Sequence, residues 1–126
     1  LLLDTHLLLW AAGNPECLPK TAKKLIEESD NSLYFSAASI WEIAIKRSLG
    51  RADFSVDPRL LRRGLLDNGY LEIAVTSEHA ITVDSLPMHH KDPFDRILIA
   101  QSINEGTLLL TSDTQIGKYE GPIRLV

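Results

Sequence analysis

Apolar and polar positions divide the chain into short strands separated by helices. Short, mainly apolar runs are typical of strands that helices cover on both faces. The alternation of such runs with helical patterns predicts an α/β fold, in which right-handed crossovers join the strands of a parallel sheet. The predicted strands are 1–3 (LLL), 32–36 (SLYFS), 71–75 (LEIAV), 107–113 (TLLLTSD) and a final edge strand near 123–126 (IRLV).

Helical patterns fill the intervals between these strands. One helix is expected to begin at a Ser36 N-cap and to end at Gly50, and the last one to end at Gly106. No element is predicted for the residues directly after the first strand, where a turn beginning at Asp4 is one interpretation. The predicted helices lie within 14–30, 36–50, 57–70, 77–87 and 92–106.

Composition and charge limit the classes of function. The 126 residues are 44% hydrophobic and 24% charged, which is ordinary for one globular domain over residues 1–126. The net charge of −4 argues against a protein that coats nucleic acid through overall positive charge. Cys17 is the only cysteine, so no intrachain disulfide can form, and no apolar run reaches the ~20 residues of a membrane helix. We expect a cytoplasmic protein, with one or more residues preceding Leu1.

Three acids are predicted to meet at the carboxyl edge of the sheet. Asp4 follows the first strand directly, and Asp113 follows the TLLLT run after one serine. Asp95 lies in the first turn of the helix that leads into that run, so it returns to the same edge. Each acid also has an ordinary structural interpretation: a turn at Asp4, a capping box at Asp95 and an Asx turn at Asp113.

Glu42 is a fourth candidate, on the helix within 36–50. On a helical wheel it borders an apolar arc, so we expect its side chain to be at most half exposed. The alternative is an ordinary surface pair with Lys46, one turn further along the helix. The apolar arc consists of Ala38, Trp41, Ile45 and Leu49.

Converging carboxylates predict a divalent cation. Like charges raise one another's pKa values, and Mg²⁺ or Mn²⁺ among oxygen ligands removes that cost and can activate water against a phosphodiester. The chain has no Gly-rich phosphate loop, no HExxH motif and no cysteine pair for zinc. His89 and His90 are adjacent and are expected to lie in a solvated loop. His6 either lines the site or is a partly buried histidine near the strand end.

Four segments resemble the successive motifs of the PIN-domain family, and most closely its VapC-type toxins of toxin–antitoxin pairs. They are LLLDTHLLLW (1–10), SAASIWEIAIK (36–46), DPFDRILIAQ (92–101) and LLLTSD (108–113). The resemblance spans the chain from Asp4 to Asp113 and is weakest over 50–90. It implies a three-layer α/β/α sandwich around a mainly parallel sheet of four to five strands.

The resemblance also implies a function and its residues. VapC-type proteins are Mg²⁺- or Mn²⁺-dependent endoribonucleases. They usually form homodimers and are held inactive by a VapB-type antitoxin, often through an arginine that enters the acidic site. Thr5 and Ser112 fall where the family often has a small hydroxyl residue near the metal, and Asp92 is expected to cap its helix beside the ligands. The acids of the site would be Asp4, Glu42, Asp95 and Asp113.

Contacts with RNA phosphates must come from a local group of cations, because the net charge is negative. The candidates lie beyond Glu42 and beside the Asp95 turn, and the alternative is a solvated helix face with a salt bridge to Glu42. The candidate cations are Lys46, Arg47, Arg51, Lys91 and Arg96.

Two other functions stay open at this point. A catalytically silent module of the same fold would bind RNA or protein without cutting it. An aspartyl-phosphate phosphoryl-transfer domain would need a nucleophilic aspartate with a positioned lysine, and the phosphatases of this class carry DxDxT after the first strand. This chain has DTHLL there, which argues against that class.

Overall fold

Five short strands form one parallel sheet in the computed structural model, which describes residues 1–126. The strands are β1 (Leu2–Leu3), β2 (Tyr34–Ser36), β3 (Leu71–Ile73), β4 (Leu109–Thr111) and β5 (Ile123–Leu125). Their order along the sheet is β3–β2–β1–β4–β5, so the first strand is central. Leu2 pairs in parallel with Tyr34 on one side and with Leu109 on the other.

Six helices cover the sheet: α1 (Thr5–Gly13), α2 (Lys20–Glu27), α3 (Ala37–Ser48), α4 (Pro58–Asp67), α5 (Ser77–Asp84) and α6 (Pro93–Glu105). Successive strand residues face opposite sides, so Leu3 packs in one core and Leu2 in the other. The first core holds Leu7 of α1 and Leu61 of α4, and the second holds Leu98 of α6. The predicted α/β fold, with a helix layer on each side of a parallel sheet, is therefore confirmed. None of the helices combines the length and the apolar composition needed to cross a bilayer.

Helix α1 was not predicted from the sequence, where a turn beginning at Asp4 was one interpretation. Its residues THLLLWAAG are apolar almost all round, so they lack the one-sided periodicity that marks a surface helix. Leu7 and Leu8 are fully buried, and Trp10 packs against the same core. Asp4 is the N-cap of this helix, because its side chain accepts a hydrogen bond from the Leu7 amide at 2.9 Å.

Helix α3 is turned differently from the predicted wheel. Its buried residues are Ala38, Ser39, Glu42 and Ile43, whereas Trp41 is 63% exposed. The prediction that Trp41 lies on the buried arc is therefore wrong. The helix packs small side chains and an acid towards the sheet edge, and Trp41 lies edge-on to Phe94 at 5.1 Å between ring centroids. The periodicity of apolar residues could not distinguish these two faces, since both contain apolar side chains.

The other helix ends follow the predicted caps. Ser36 accepts a hydrogen bond from the Ala38 amide at 3.0 Å, and Asp92 accepts one from the Phe94 amide at 2.8 Å. Gly106 ends α6 with φ of 66°, a left-handed conformation that glycine adopts without steric cost. These ends place the first turns of α3 and α6 at the carboxyl edge of the sheet.

Candidate active site at the carboxyl edge of the sheet

Asp4 and Asp113 are joined through the hydroxyl of Thr111. Thr111 Oγ1 donates to Asp4 Oδ2 at 2.6 Å and accepts from the Asp113 amide at 3.0 Å. Asp4 is only 4% exposed, since it lies between the end of β1 and the first turn of α1. The hydroxyl that holds this carboxylate therefore belongs to Thr111, at the end of β4, and not to its neighbour Ser112.

Glu42 lies beside this pair on α3. Its side chain is almost fully buried, and Oε2 accepts a hydrogen bond from Lys46 Nζ at 2.5 Å. The other oxygen, Oε1, is buried without a hydrogen-bond partner. Thr5, the predicted hydroxyl residue next to Asp4, donates instead to Ser39 Oγ at 3.0 Å and so joins α1 to α3. A buried carboxylate oxygen without a protein donor requires a water molecule or a cation as its partner.

Asp95 is held by two side chains in the segment before α6. His90 Nε2 lies 2.7 Å from Asp95 Oδ2 and 3.7 Å from Asp113 Oδ2. Asp92 caps the helix as predicted, with its Oδ1 accepting from the Phe94 amide and, at 3.3 Å, from the Asp95 amide. The same turn therefore supplies a structural acid and an acid that faces the site.

The pKa values of two of the acids are raised, by burial and by the charges of neighbouring carboxylates. Burial raises the pKa of Asp95 to about 7, with further contributions from the charges of Asp92, Glu42 and Asp4, and the hydrogen bond from His90 opposes the shift. Burial also raises the pKa of Asp4, and the charge of Asp113 adds to this. The four acids thus form one electrostatic group, as the sequence predicted from their positions on the chain.

The arrangement fits a divalent cation. Oxygens of Asp95 and Asp113 and a nitrogen of His90 all lie within 4.8 Å of one another. Carboxylate oxygens are the ligands that Mg²⁺ and Mn²⁺ prefer, and a cation would offset both the burial and the mutual repulsion that raise these pKa values. Glu42 Oε1 offers one more oxygen that no donor in the protein satisfies.

Arg96 requires a correction to the predicted RNA contacts. Its side chain is buried, and its guanidinium donates to the backbone carbonyls of Pro87 and Val83 at 3.0 Å each. It also donates to the hydroxyl of Tyr119 at 3.1 Å and, at 3.4 Å, to the carbonyl of His90. A guanidinium with these partners supports the loop before α6 and does not face an RNA phosphate.

The remaining predicted cations lie nearer the surface. Arg47 and Arg51 are about half exposed and have only loose partners, Asp57 at 3.7 Å and Asp53 at 3.4 Å. Lys91 is exposed next to the Asp95 turn. Lys46 pairs with Glu42, which was the alternative interpretation of this lysine.

His90 is a site residue that the sequence reasoning missed. It was expected in a solvated loop, yet its side chain is only 21% exposed and contacts two of the four acids. The available signal was its position directly before the Asp92–Pro93 helix start, because residues that lead into such a turn must run along the carboxyl edge. His6 is exposed, but its charge helps to lower the pKa of Asp4, so it stands at the rim of the site.

Comparison with known proteins agrees with this architecture. The PIN domain family matches residues 1–122. Ribonuclease VapC22 of Mycobacterium tuberculosis (strain ATCC 25618 / H37Rv) is 30% identical over 122 residues, which are 96% of this chain and 92% of that protein. The crystal structure of VapBC2 from Rickettsia felis, bound to a DNA fragment from their promoter, aligns with a TM-score of 0.70 at 12% identity, over 98% of this chain and 96% of that one. The chain therefore belongs to the PIN-domain family, with a VapC-type ribonuclease among its full-length relatives.

Proposed function

We propose that this protein is a Mg²⁺- or Mn²⁺-dependent endoribonuclease that cleaves RNA phosphodiesters at the site formed by Asp4, Glu42, Asp95 and Asp113. The observation that carries the proposal is the buried carboxylate group itself. Glu42 Oε1 has no donor, and the charges of Asp92, Glu42 and Asp4 help to raise the pKa of Asp95 to about 7. A protein keeps such an unfavourable cluster where a cation is to be bound. The relative VapC22 is a ribonuclease, which agrees with this choice.

The side chains have separable roles in this proposal. A bound divalent ion would lower the pKa of a water molecule and neutralise charge on the scissile phosphate. Thr111 and the Leu7 amide fix the orientation of the Asp4 carboxylate, since each occupies one of its oxygens. Lys46 balances the charge of Glu42 and leaves Oε1 free. Asp95 and Asp113 are the more open acids and are the natural ligands for an ion that arrives from solvent.

We further propose that the protein is the toxin of a VapBC-type pair in the cytoplasm, bound by a VapB-type antitoxin. Helix α4 supports a partner surface, because Leu60 remains 61% exposed beside a groove that α1 and α4 form. Leu61 and Leu65 of the same helix are buried in the core. An antitoxin arginine among the carboxylates would compete with the ion, since both neutralise the same charge.

A homodimer is also part of the proposal. Trp41, Phe94, Met88 and Val75 line an apolar groove between α3 and the start of α6. Trp41 and Met88 are 63% and 70% exposed, and contiguous exposed apolar side chains of this kind mark interaction surfaces. We propose that a second copy of the chain covers this groove. Sedimentation of the wild-type protein and of Trp41→Glu would measure whether the substitution disrupts the dimer.

The decisive experiment is RNA cleavage by charge-removing variants. Asp4→Asn and Asp95→Asn should each lower the cleavage rate by about 10²-fold or more, since each removes part of the charge that holds the ion. Asparagine is nearly isosteric and remains a good N-cap at position 4, so both variants should fold. The matched control is Asp30→Asn, an exposed aspartate outside the site, and EDTA should abolish wild-type cleavage.

Two outcomes would contradict the proposal. Cleavage by Asp4→Asn or Asp95→Asn at the wild-type rate would mean that the acids are not the catalytic group. RNA binding without cleavage at any divalent-ion concentration would favour the silent binding module instead.

A further inference from the structure

The imidazole of His90 completes a three-ligand group with the two open acids. Its Nε2 lies 2.7 Å from Asp95 Oδ2 and 3.7 Å from Asp113 Oδ2, and all three ligand atoms fit within 4.8 Å. Ligands about 2.1 Å from one ion lie about 3 to 4 Å from each other. The two distances from Nε2 lie close to this range, so an ion shared by the three atoms would replace the hydrogen bond between His90 and Asp95 and release its proton.

Hydrogen bonds hold both the amide and the carbonyl of His90, so the backbone fixes the position of the imidazole. The His90 amide donates to the Tyr119 hydroxyl at 2.9 Å. Arg96 donates to the carbonyls of Pro87 and His90, and its contact with Tyr119 joins the two supports. Neighbouring His89 lies against the Tyr119 ring and is exposed. Only one of the two adjacent histidines therefore reaches the acids.

We propose that His90 Nε2 is a direct ligand of the same divalent ion as Asp95 and Asp113. This inference rests on the proposed metal dependence but adds a nitrogen ligand to an otherwise all-oxygen group. Imidazole suits transition ions such as Ni²⁺ and Fe²⁺, whereas carboxylate and water suit Mg²⁺. The imidazole should therefore add affinity for ions that favour nitrogen and contribute little to the binding of Mg²⁺, so His90 sets how strongly the site prefers such ions.

Pulsed electron paramagnetic resonance of Mn²⁺ bound to the tag-free protein tests the ligand directly. The wild-type spectrum should contain the ¹⁴N coupling of a coordinated imidazole. His90→Gln, which keeps a polar side chain of similar reach, should lose the coupling, and the matched control His89→Gln should keep it. Absence of the coupling in the wild-type protein would overturn the proposal without recourse to any variant. Its persistence in His90→Gln would do the same.

Calorimetric titration of the metal-free protein tests the selectivity. His90→Gln should lower Ni²⁺ affinity about tenfold or more and change Mg²⁺ affinity by less than about threefold, since only the nitrogen-favouring ion loses a preferred ligand. His89→Gln should leave the ratio of the two affinities unchanged. An equal loss for both ions would overturn the selectivity.

These readouts are independent of RNA cleavage. A protein that shows the ¹⁴N coupling but cuts no RNA would leave the His90 assignment intact and contradict the proposed function. Cleavage that depends on Asp4 and Asp95, in a protein without the coupling, would do the reverse.

Discussion

The acidic site has two halves that are built differently, although each contributes two carboxylates. Asp4 and Glu42 are 4% and 2% exposed, and donors of the protein itself occupy three of their four oxygens. The side chains of Asp95 and Asp113 are 16% and 39% exposed and share the imidazole of His90. The first half is assembled during folding, whereas the second remains open to a ligand from solvent.

The difference separates two ways of tolerating buried negative charge. In the closed half, hydrogen bonds from Thr111 and the Leu7 amide and an ion pair with Lys46 compensate each carboxylate. In the open half, Asp95 pairs with His90 and Asp113 accepts from the Gln115 amide at 2.8 Å, but both carboxylates can still be reached from solvent. Burial raises the pKa of an acid in each half, that of Asp4 in the closed half and that of Asp95, to about 7, in the open half. We therefore expect changes in the closed half to cost stability and changes in the open half to affect ion binding.

Lys46→Met should have the largest effect on stability. It leaves the Glu42 carboxylate buried without its only cation, so the free energy of unfolding should fall by about 3 kcal/mol in EDTA. Chemical denaturation measures this loss. The double variant Glu42→Gln/Lys46→Met should regain most of it, because no unpaired charge remains. Recovery of nothing in the double variant would mean that packing of the lysine stem, and not the ion pair, accounts for the loss.

Asp95→Asn should do the opposite and stabilise the metal-free protein near pH 7. The pKa of Asp95 is raised from 3.8 to about 7 on folding, so between these values the folded state binds more protons than the unfolded state. The free energy of unfolding of the wild-type protein must then fall as the pH rises from about 4 to about 7. Asp95→Asn should make the free energy of unfolding depend less on pH between about pH 4 and about pH 7. Thermal melts in EDTA across this pH range would measure the difference.

The control for this pH dependence is to repeat the measurement with the divalent ion bound. Saturating divalent ion should restore wild-type stability at pH 7 and should stabilise Asp95→Asn much less, since binding raises stability only as far as affinity allows. Parallel pH profiles for the two metal-free proteins would show that Asp95 is not the group that destabilises the site.

Local sequence patterns predicted most helices and strands and their caps. The features that they did not predict, helix α1 and the orientation of α3, depend on tertiary packing. The Ser36 cap, the Asp92–Pro93 helix start and the strand-end positions of Asp4 and Asp113 all follow from neighbouring residues. Helix α1 was missed because its residues are apolar almost all round, so its sequence has no polar face to reveal the helical period. The rotation of α3 was missed for a related reason, since its apolar residues lie on two faces.

The roles of Arg96 and His90 were beyond such patterns because both depend on distant chain segments. Arg96 was expected to face RNA, but its acceptors include Val83 and Tyr119, which lie 13 and 23 positions away. His90 contacts Asp113, and that contact exists only because α6 leads the chain away from this sheet edge and β4 brings it back. Residue type gave the charge of each side chain, and only the fold gave its partners.

The smallest expected effect is a change in the salt dependence of RNA binding. It would show which half of the site contacts the RNA backbone. Arg47 and Arg51 follow Glu42 on the closed side, and Lys91 precedes Asp95 on the open side. In an Asp4→Asn background, which is expected to slow cleavage, Arg47→Ala/Arg51→Ala should reduce the slope of log K against log[salt] by about 1.4, or about 0.7 for each lost contact with single-stranded phosphate. Lys91→Ala should reduce it by about 0.7.

Lys24→Ala is the control, because the last turn of α2 leads to the opposite edge of the sheet. An unchanged slope in the double variant, with a reduced one in Lys91→Ala, would place the RNA on the open half alone.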